Sequence, residues 1–186
     1  MRVRMALHEK ELTFETCEED LKNFSPRLRQ IHPEGKVPAL VHGENILYES
    51  SIITEYLEDA FPETTRLMPS EAGGRAQVRL WTYWCNQLFK PQVDRVKYGE
   101  SRFPKAECEA APAKLIRHLE KLETQLGSSP WLVGDTFSLA DIHLFPFARQ
   151  LAGVTPALPF RSNYPALQRW VDTVAARPSF EKTMRA

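Results

Sequence analysis

Long apolar runs are missing from this 186-residue chain, and so is any excess of charge, with 24 Lys and Arg set against 24 Asp and Glu. No stretch approaches the roughly 20 apolar residues that span a bilayer. The opening Met1-Arg2-Val3-Arg4 carries charge too early for a secretory leader. A membrane partner is therefore not expected, and the cytoplasm is the expected compartment. A balanced chain without a concentrated basic stripe also argues against nucleic acid as a primary partner. Cysteine is scarce: Cys17, Cys85 and Cys108 are odd in number, far apart and without C-x-x-C spacing, so neither a disulfide framework nor a zinc site is indicated. His8, His32, His42, His118 and His143 show no ligand spacing, and no metal is expected.

What is present is enough apolar content, 42% of residues, to build real cores. Charge divides unevenly along the chain. Residues 1–62 hold 7 basic and 12 acidic side chains, and the remainder reverses the balance. Residues 63–73, with Thr64-Thr65, Pro69 and Gly73, have linker composition and no periodicity. The reading is thus an α/β domain over 1–62, a linker over 63–73 and an all-helical domain over 74–186.

Within the first domain, Val3, Ala6 and Leu7 predict a helix over Arg2 to Lys10, and alternation around Phe14 predicts a short strand. Ser25-Pro26 is a helix start, which His32-Pro33 ends. A strand Val37 to Val41, a turn at His42 to Asn45 and a strand Ile46 to Tyr48 form a hairpin. Ser50 is read as the cap of a helix with Ile53, Tyr56 and Leu57 on its apolar face. The second domain reads as one helix over about Gly74 to Lys97, another over about Pro112 to Leu126, and a third opened by the capping box Ser138-Leu139-Ala140-Asp141, with Pro146 expected to kink it. A helix over Pro165 to Ala176 and a short one from Pro178 follow.

The densest information lies in Gly35-Lys36-Val37-Pro38-Ala39-Leu40 and in Glu49-Ser50. A proline entering a β segment is tolerated only at an edge, a first position or a bulge. If the Val37-Pro38 bond is cis, it turns the Val37 backbone outward to pair with an extended ligand. Glu49-Ser50 stands at a helix start, where unpaired N–H groups and partial positive charge suit a carboxylate. Together they suggest a site for a small anionic peptide. Trp81, Tyr83, Trp84 and Phe89 read as core aromatics at helical spacing, with pocket lining the minor reading.

These motifs, in this order and on this two-domain plan, resemble the cytosolic glutathione S-transferase family over essentially the whole chain. The likeness is carried by the Gly35–Leu40 run, the Glu49-Ser50 pair, Arg2-Val3-Arg4-Met5-Ala6-Leu7 and Ser138 to Asp141. It implies a thioredoxin-like N-terminal domain followed by a helical bundle. It also implies glutathione as co-substrate, a small apolar electrophile as second substrate, a detoxification role, and a homodimer formed across the helices near Ser51 to Ala60 and Gln77 to Leu88. The family's roles then assign the Val37 backbone to the cysteinyl part, Pro38 to the turn that presents it, Glu49 to the α-amino group, Ser50 to the γ-glutamyl carboxylate and Lys36 to the glycyl carboxylate. His32 stands where the family often has asparagine. In the family, a first strand and a loop carrying the catalytic Ser, Tyr or Cys precede the first helix. The chain as given opens inside that helix, so no catalytic residue is assigned, and the first domain is expected to be truncated at its start, with the Phe14 strand short of a central partner. Two alternatives share the fold: a non-catalytic interaction module, and a glutathione-dependent thiol reductase or isomerase.

Overall fold

The computed structural model describes residues 1–20, 22–154 and 163–185. Helix α1 (Arg2–Glu9) buries Met5, Ala6 and Leu7, the apolar set that its sequence spacing marks out. The strand expected around Phe14 is not formed. Residues 12–20 have no regular structure, because no ladder partner lies beside them among the described residues. Phe14 packs on His8 instead, ring centroids 5.0 Å apart. Short helix α2 (Pro26–Ile31) starts as read: the Leu28 amide donates to Ser25 Oγ at 3.2 Å, with Pro26 in the first turn.

Strands β1 (Ala39–His42) and β2 (Asn45–Tyr48) pair antiparallel, Ala39 opposite Tyr48 and His42 opposite Asn45. Two residues connect them, and the first, Gly43, has φ of 59°, the glycine-first pattern of a type II′ hairpin. Helix α3 (Ser50–Ala60) follows directly. Ser50 is its first helical residue rather than its cap. Glu49 occupies the cap position and gives no side-chain capping bond.

The helix expected over 74–97 is two helices, α4 (Ala72–Trp84) and α5 (Lys90–Tyr98), separated by a π-helical turn over Cys85–Phe89. Apolar spacing continues through that turn, with Trp84, Cys85, Phe89 and Val93 all buried, so periodicity alone cannot show it. Helix α6 (Lys105–Ser128) starts seven residues before Pro112. Pro112 lies on the exposed face, where water can take the carbonyl that the missing N–H leaves free. Leu115, Leu119, Leu122 and Leu126 make its buried stripe.

Helix α7 (Leu139–Val154) contains Pro146 without interruption, and α8 (Pro165–Ala175) and α9 (Pro178–Arg185) close the described chain. The α7 capping box forms around Asp141, which is fully buried. Its Oδ2 accepts from the Ser138 amide and hydroxyl, and its Oδ1 accepts from the Leu132 amide and from Trp170 Nε1 of α8. Burial pushes its carboxyl up to about 6 against the pull of those donors. One apolar cluster runs from Met5 and Leu57 through Trp81, Phe89 and Leu119 to Phe145 and Trp170. Helix α1 thus packs into the same core as the bundle, touching α3, α7 and α9.

Candidate functional site

The hairpin register explains how two motifs eleven residues apart come together. Because Ala39 pairs with Tyr48, Val37-Pro38 enters and Glu49-Ser50 leaves at the same end of the ladder. Paired residues in antiparallel strands have Cα atoms about 4.5 to 5.5 Å apart. The Val37-Pro38 peptide is cis, and Val37 is 45% exposed. Glu49 is exposed and takes φ of 66°, a left-handed value unusual for a residue with a side chain. Lys36 is exposed on the approach to Val37 and pairs with Glu34. All five residues singled out in the sequence therefore sit at one end of the hairpin. His32 is buried behind them, accepting the Glu34 amide on Nδ1 at 3.0 Å and packing on Tyr48.

Beneath the α3 N-terminus lies a group the motifs did not reveal. Arg2, in the first turn of α1, donates Nη1 to Ser50 Oγ at 3.2 Å, Nε to the His143 carbonyl at 2.8 Å and Nη2 to Asn86 Oδ1 at 2.9 Å. Its Nη2 also meets Cys85 Sγ at 3.4 Å, and its guanidinium lies 4.9 Å from the Phe147 ring centroid. Burial draws the guanidinium below its ordinary value, while Cys85 and Glu49 pull the other way. An arginine still remains charged at neutral pH. Cys85 is buried and its thiol is pushed up to about 11. It is protonated at neutral pH and is no nucleophile.

His143 joins three helices. Its Nε2 lies 2.8 Å from Thr54 Oγ1 of α3 and its Nδ1 lies 2.8 Å from Thr82 Oγ1 of α4. Burial first, and the Arg2 charge next, hold its imidazole well below the usual value, hence neutral. One nitrogen of a neutral ring donates and the other accepts, so one threonine hydroxyl accepts a hydrogen bond from the ring and the other donates one to it. Thr54 Oγ1 also reaches the Ser50 and Ser51 carbonyls, both at 3.0 Å. Ser50 is thereby fixed from its side chain through Arg2 and from its backbone through Thr54.

Of the aromatics on the α4 to α5 stretch, Trp81, Trp84 and Phe89 are buried, with Trp84 and Phe89 stacked at 5.4 Å. Tyr83 is the exception at 63% exposed. It borders an open concavity of about 570 Å³ between α3 and α4, with Ile52, Tyr56, Arg79 and Gln87 among the residues that line it. Among the described residues, no group of His, Cys, Asp and Glu side chains has the arrangement to hold a metal ion, and no helix is long and apolar enough to cross a membrane.

Comparison with known proteins identifies the plan. Residues 1–65 match the family model of the glutathione S-transferase N-terminal domain, and residues 88–178 match that of the C-terminal domain. Glutathione S-transferase U19 of Arabidopsis thaliana is 34% identical over 187 residues, covering 99% of this chain and 84% of its own. The chain belongs to the glutathione S-transferase family. Glutathione S-transferase U25 of the same plant is 36% identical over 152 residues, 79% of this chain and 65% of that protein. Among solved structures, the β-etherase LigF from Sphingobium sp. strain SYK-6 superposes with a TM-score of 0.89 at 28% identity, covering 99% of this chain and 93% of its own. A glutathione S-transferase from Methylobacillus flagellatus, solved with glutathione bound, gives 0.85 at 28% identity over 98% of this chain and 92% of its own. The fold is the transferase fold, a thioredoxin-like N-terminal part with a short sheet followed by helices.

Proposed function

We propose that this chain binds glutathione at the end of the β1–β2 hairpin and conjugates it to a small apolar electrophile. The observation that carries the reading is the hairpin register, which sets Val37-Pro38 beside Glu49-Ser50. In this reading the Val37 backbone pairs with the cysteinyl residue as an added strand would, and Pro38 shapes that turn. Glu49 takes the α-amino group, while the Ser50 hydroxyl and amide take the γ-glutamyl carboxylate at the positive end of α3. Lys36 turns from Glu34 to the glycyl carboxylate. The reactive species is the thiolate, which attacks the electrophile and displaces its leaving group.

Likeness to a β-etherase is a reason to include ethers among the electrophiles to assay. The division of labour is the one read from the sequence, glutathione on residues 1–62 and electrophile against the helices of 74–186. A second copy of the chain is the proposed occupant of the α3–α4 face, where Ile52, Leu80 and Tyr83 are exposed. The cytoplasm, where glutathione is kept reduced, is the proposed compartment.

Titration calorimetry with glutathione tests the binding. The chain is expected to bind, and a Glu49→Ala, Ser50→Ala double variant to lose at least about tenfold in affinity, given about 1.5 to 3 kcal/mol for each hydrogen bond to a charged group. Equal affinity in the two proteins contradicts the assignment. Conjugation is read separately, with chlorodinitrobenzene and an aryl ether as second substrates.

A further inference from the structure

Away from the hairpin end, a concavity of about 680 Å³ opens between α7 and α8 and reaches the start of α1. Pro146 and Phe147 of α7, Val171 and Ala175 of α8, and Met1 give it apolar walls. Apart from Met1, its described lining comes from the helices of 74–186, the part proposed above to receive the electrophile. It adjoins the hairpin end through one side chain. The Arg2 guanidinium that meets Ser50 Oγ at 3.2 Å also lies 4.9 Å from the Phe147 ring centroid.

Charge is unbalanced around these walls. Lys97 of α5 and Arg149 of α7 stand exposed at the rim. Lys97 donates to the Tyr98 hydroxyl at 3.0 Å and Arg149 lies over the Phe180 ring, so neutral groups rather than carboxylates meet them among the described residues. Arg2, against Phe147, likewise has hydrogen-bond partners that are all neutral. Opposed to these cations in the lining is Asp172, whose Oδ1 accepts from Gln168 Nε2 at 2.8 Å. A concave site with low-dielectric walls concentrates such a field and favours an anion. Apolar walls take an aromatic ring, while the long side chains at the rim carry their charged ends to a group on its edge. We propose that the second substrate is an aromatic carboxylate, its ring against Phe147 and Val171 and its carboxylate met by Lys97 and Arg149. This rests on the glutathione reading above, and it narrows the electrophile from any small apolar molecule to an apolar ring with an acidic substituent.

The test uses two unreactive probes of one shape, nitrobenzoate and nitrobenzamide, titrated by calorimetry into the glutathione-saturated chain. Wild type is expected to prefer the acid by about fivefold or more at low salt, the scale of charge-assisted contacts at an exposed rim. The preference should shrink towards parity at about 0.5 M salt, where screening is nearly complete at contact range. A Lys97→Gln, Arg149→Gln variant should lose it, and Lys114→Gln, an exposed lysine of α6 outside the cavity, should keep it. All three substituted residues are exposed, so folding is not at stake. Equal affinities in wild type, binding of neither probe, or a preference that survives the double variant overturns the assignment. Displacement of the acid by glutathione overturns its place as second substrate, since the two must bind together. Glutathione itself is titrated separately. A chain that binds glutathione without preferring the acid loses this assignment alone, whereas one that prefers the acid but binds no glutathione overturns the glutathione reading and, with it, the acid's role.

Discussion

Glu49 combines two properties that pull apart. Its φ of 66° belongs to a region that favours glycine, and a side chain held there stores roughly 1 to 3 kcal/mol. Glu49→Gly is therefore expected to gain about 1 kcal/mol in urea unfolding, after the added freedom of the unfolded chain is subtracted. The same variant loses the carboxylate proposed to meet the amino group, and calorimetry should show weaker glutathione binding. The sequence makes Glu49 and Ser50 visible because their types and their spacing from Pro38 are readable. It cannot show the left-handed backbone or Arg2, whose contact with Ser50 spans 48 residues and exists only once α1 has packed against α3. Two buried groups set opposing pH dependences. The Asp141 carboxyl rises on folding from 3.8 to about 6, so its stabilisation is complete below the lower value and is lost as pH rises through the higher, on the order of 3 kcal/mol. His143, held neutral far below its ordinary 6.5, stabilises above that value and costs stability as pH falls below it. In urea unfolding between pH 6.5 and 4, Asp141→Asn is expected to steepen the loss on acidification and His143→Gln to flatten it. The reverse order refutes these assignments.

At the scale of elements, helices with one apolar face were legible and interruptions were not. The stripes of α1, α6 and α8 stand in the spacing of their residues, and the Ser25 start and the Asp141 box in local chemistry. The π-helical turn escaped because its residues continue the buried face, and the Phe14 strand failed because a strand exists only through a neighbour that local sequence does not specify. A third device, the tie between α1, α3 and the segment after it, also lay beyond reach. Lys10 Nζ lies 2.8 Å from Glu58 Oε1 and 3.0 Å from the Thr65 carbonyl, while Glu58 Oε2 accepts the Leu67 and Met68 amides. Both side chains are buried, at 1% and 7% exposure, so removing one partner leaves an uncompensated charge. Lys10→Met is expected to cost about 3 kcal/mol or more, and Lys10→Met with Glu58→Gln to cost less. Equal losses would mean that the pairing contributes nothing beyond packing.

For the whole molecule, the two parts act as one body where α1 meets the helices. Arg177 donates to both Glu9 carboxylate oxygens at 2.7 Å and stacks over Phe137, while Arg2 and His143 tie α3 to α4 and α7. The hairpin end proposed to hold glutathione is thus mounted on the helical bundle, and the exposed α3–α4 face is the one proposed for a second copy. Sedimentation should give a dimer that a Tyr83→Glu, Ile52→Glu variant dissociates, and a monomeric wild type removes that assignment. Neither substitution touches Glu49 or Ser50, so folding and glutathione affinity can be followed in the same protein. Every proposed role of the hairpin end depends on the place where glutathione binds. Amide chemical-shift mapping of the whole chain on addition of glutathione reads that place directly. Saturable shifts centred on Lys36, Val37, Glu49, Ser50 and Ser51 are expected. Saturable shifts elsewhere with these amides unmoved, or no shifts at all, would contradict that placement.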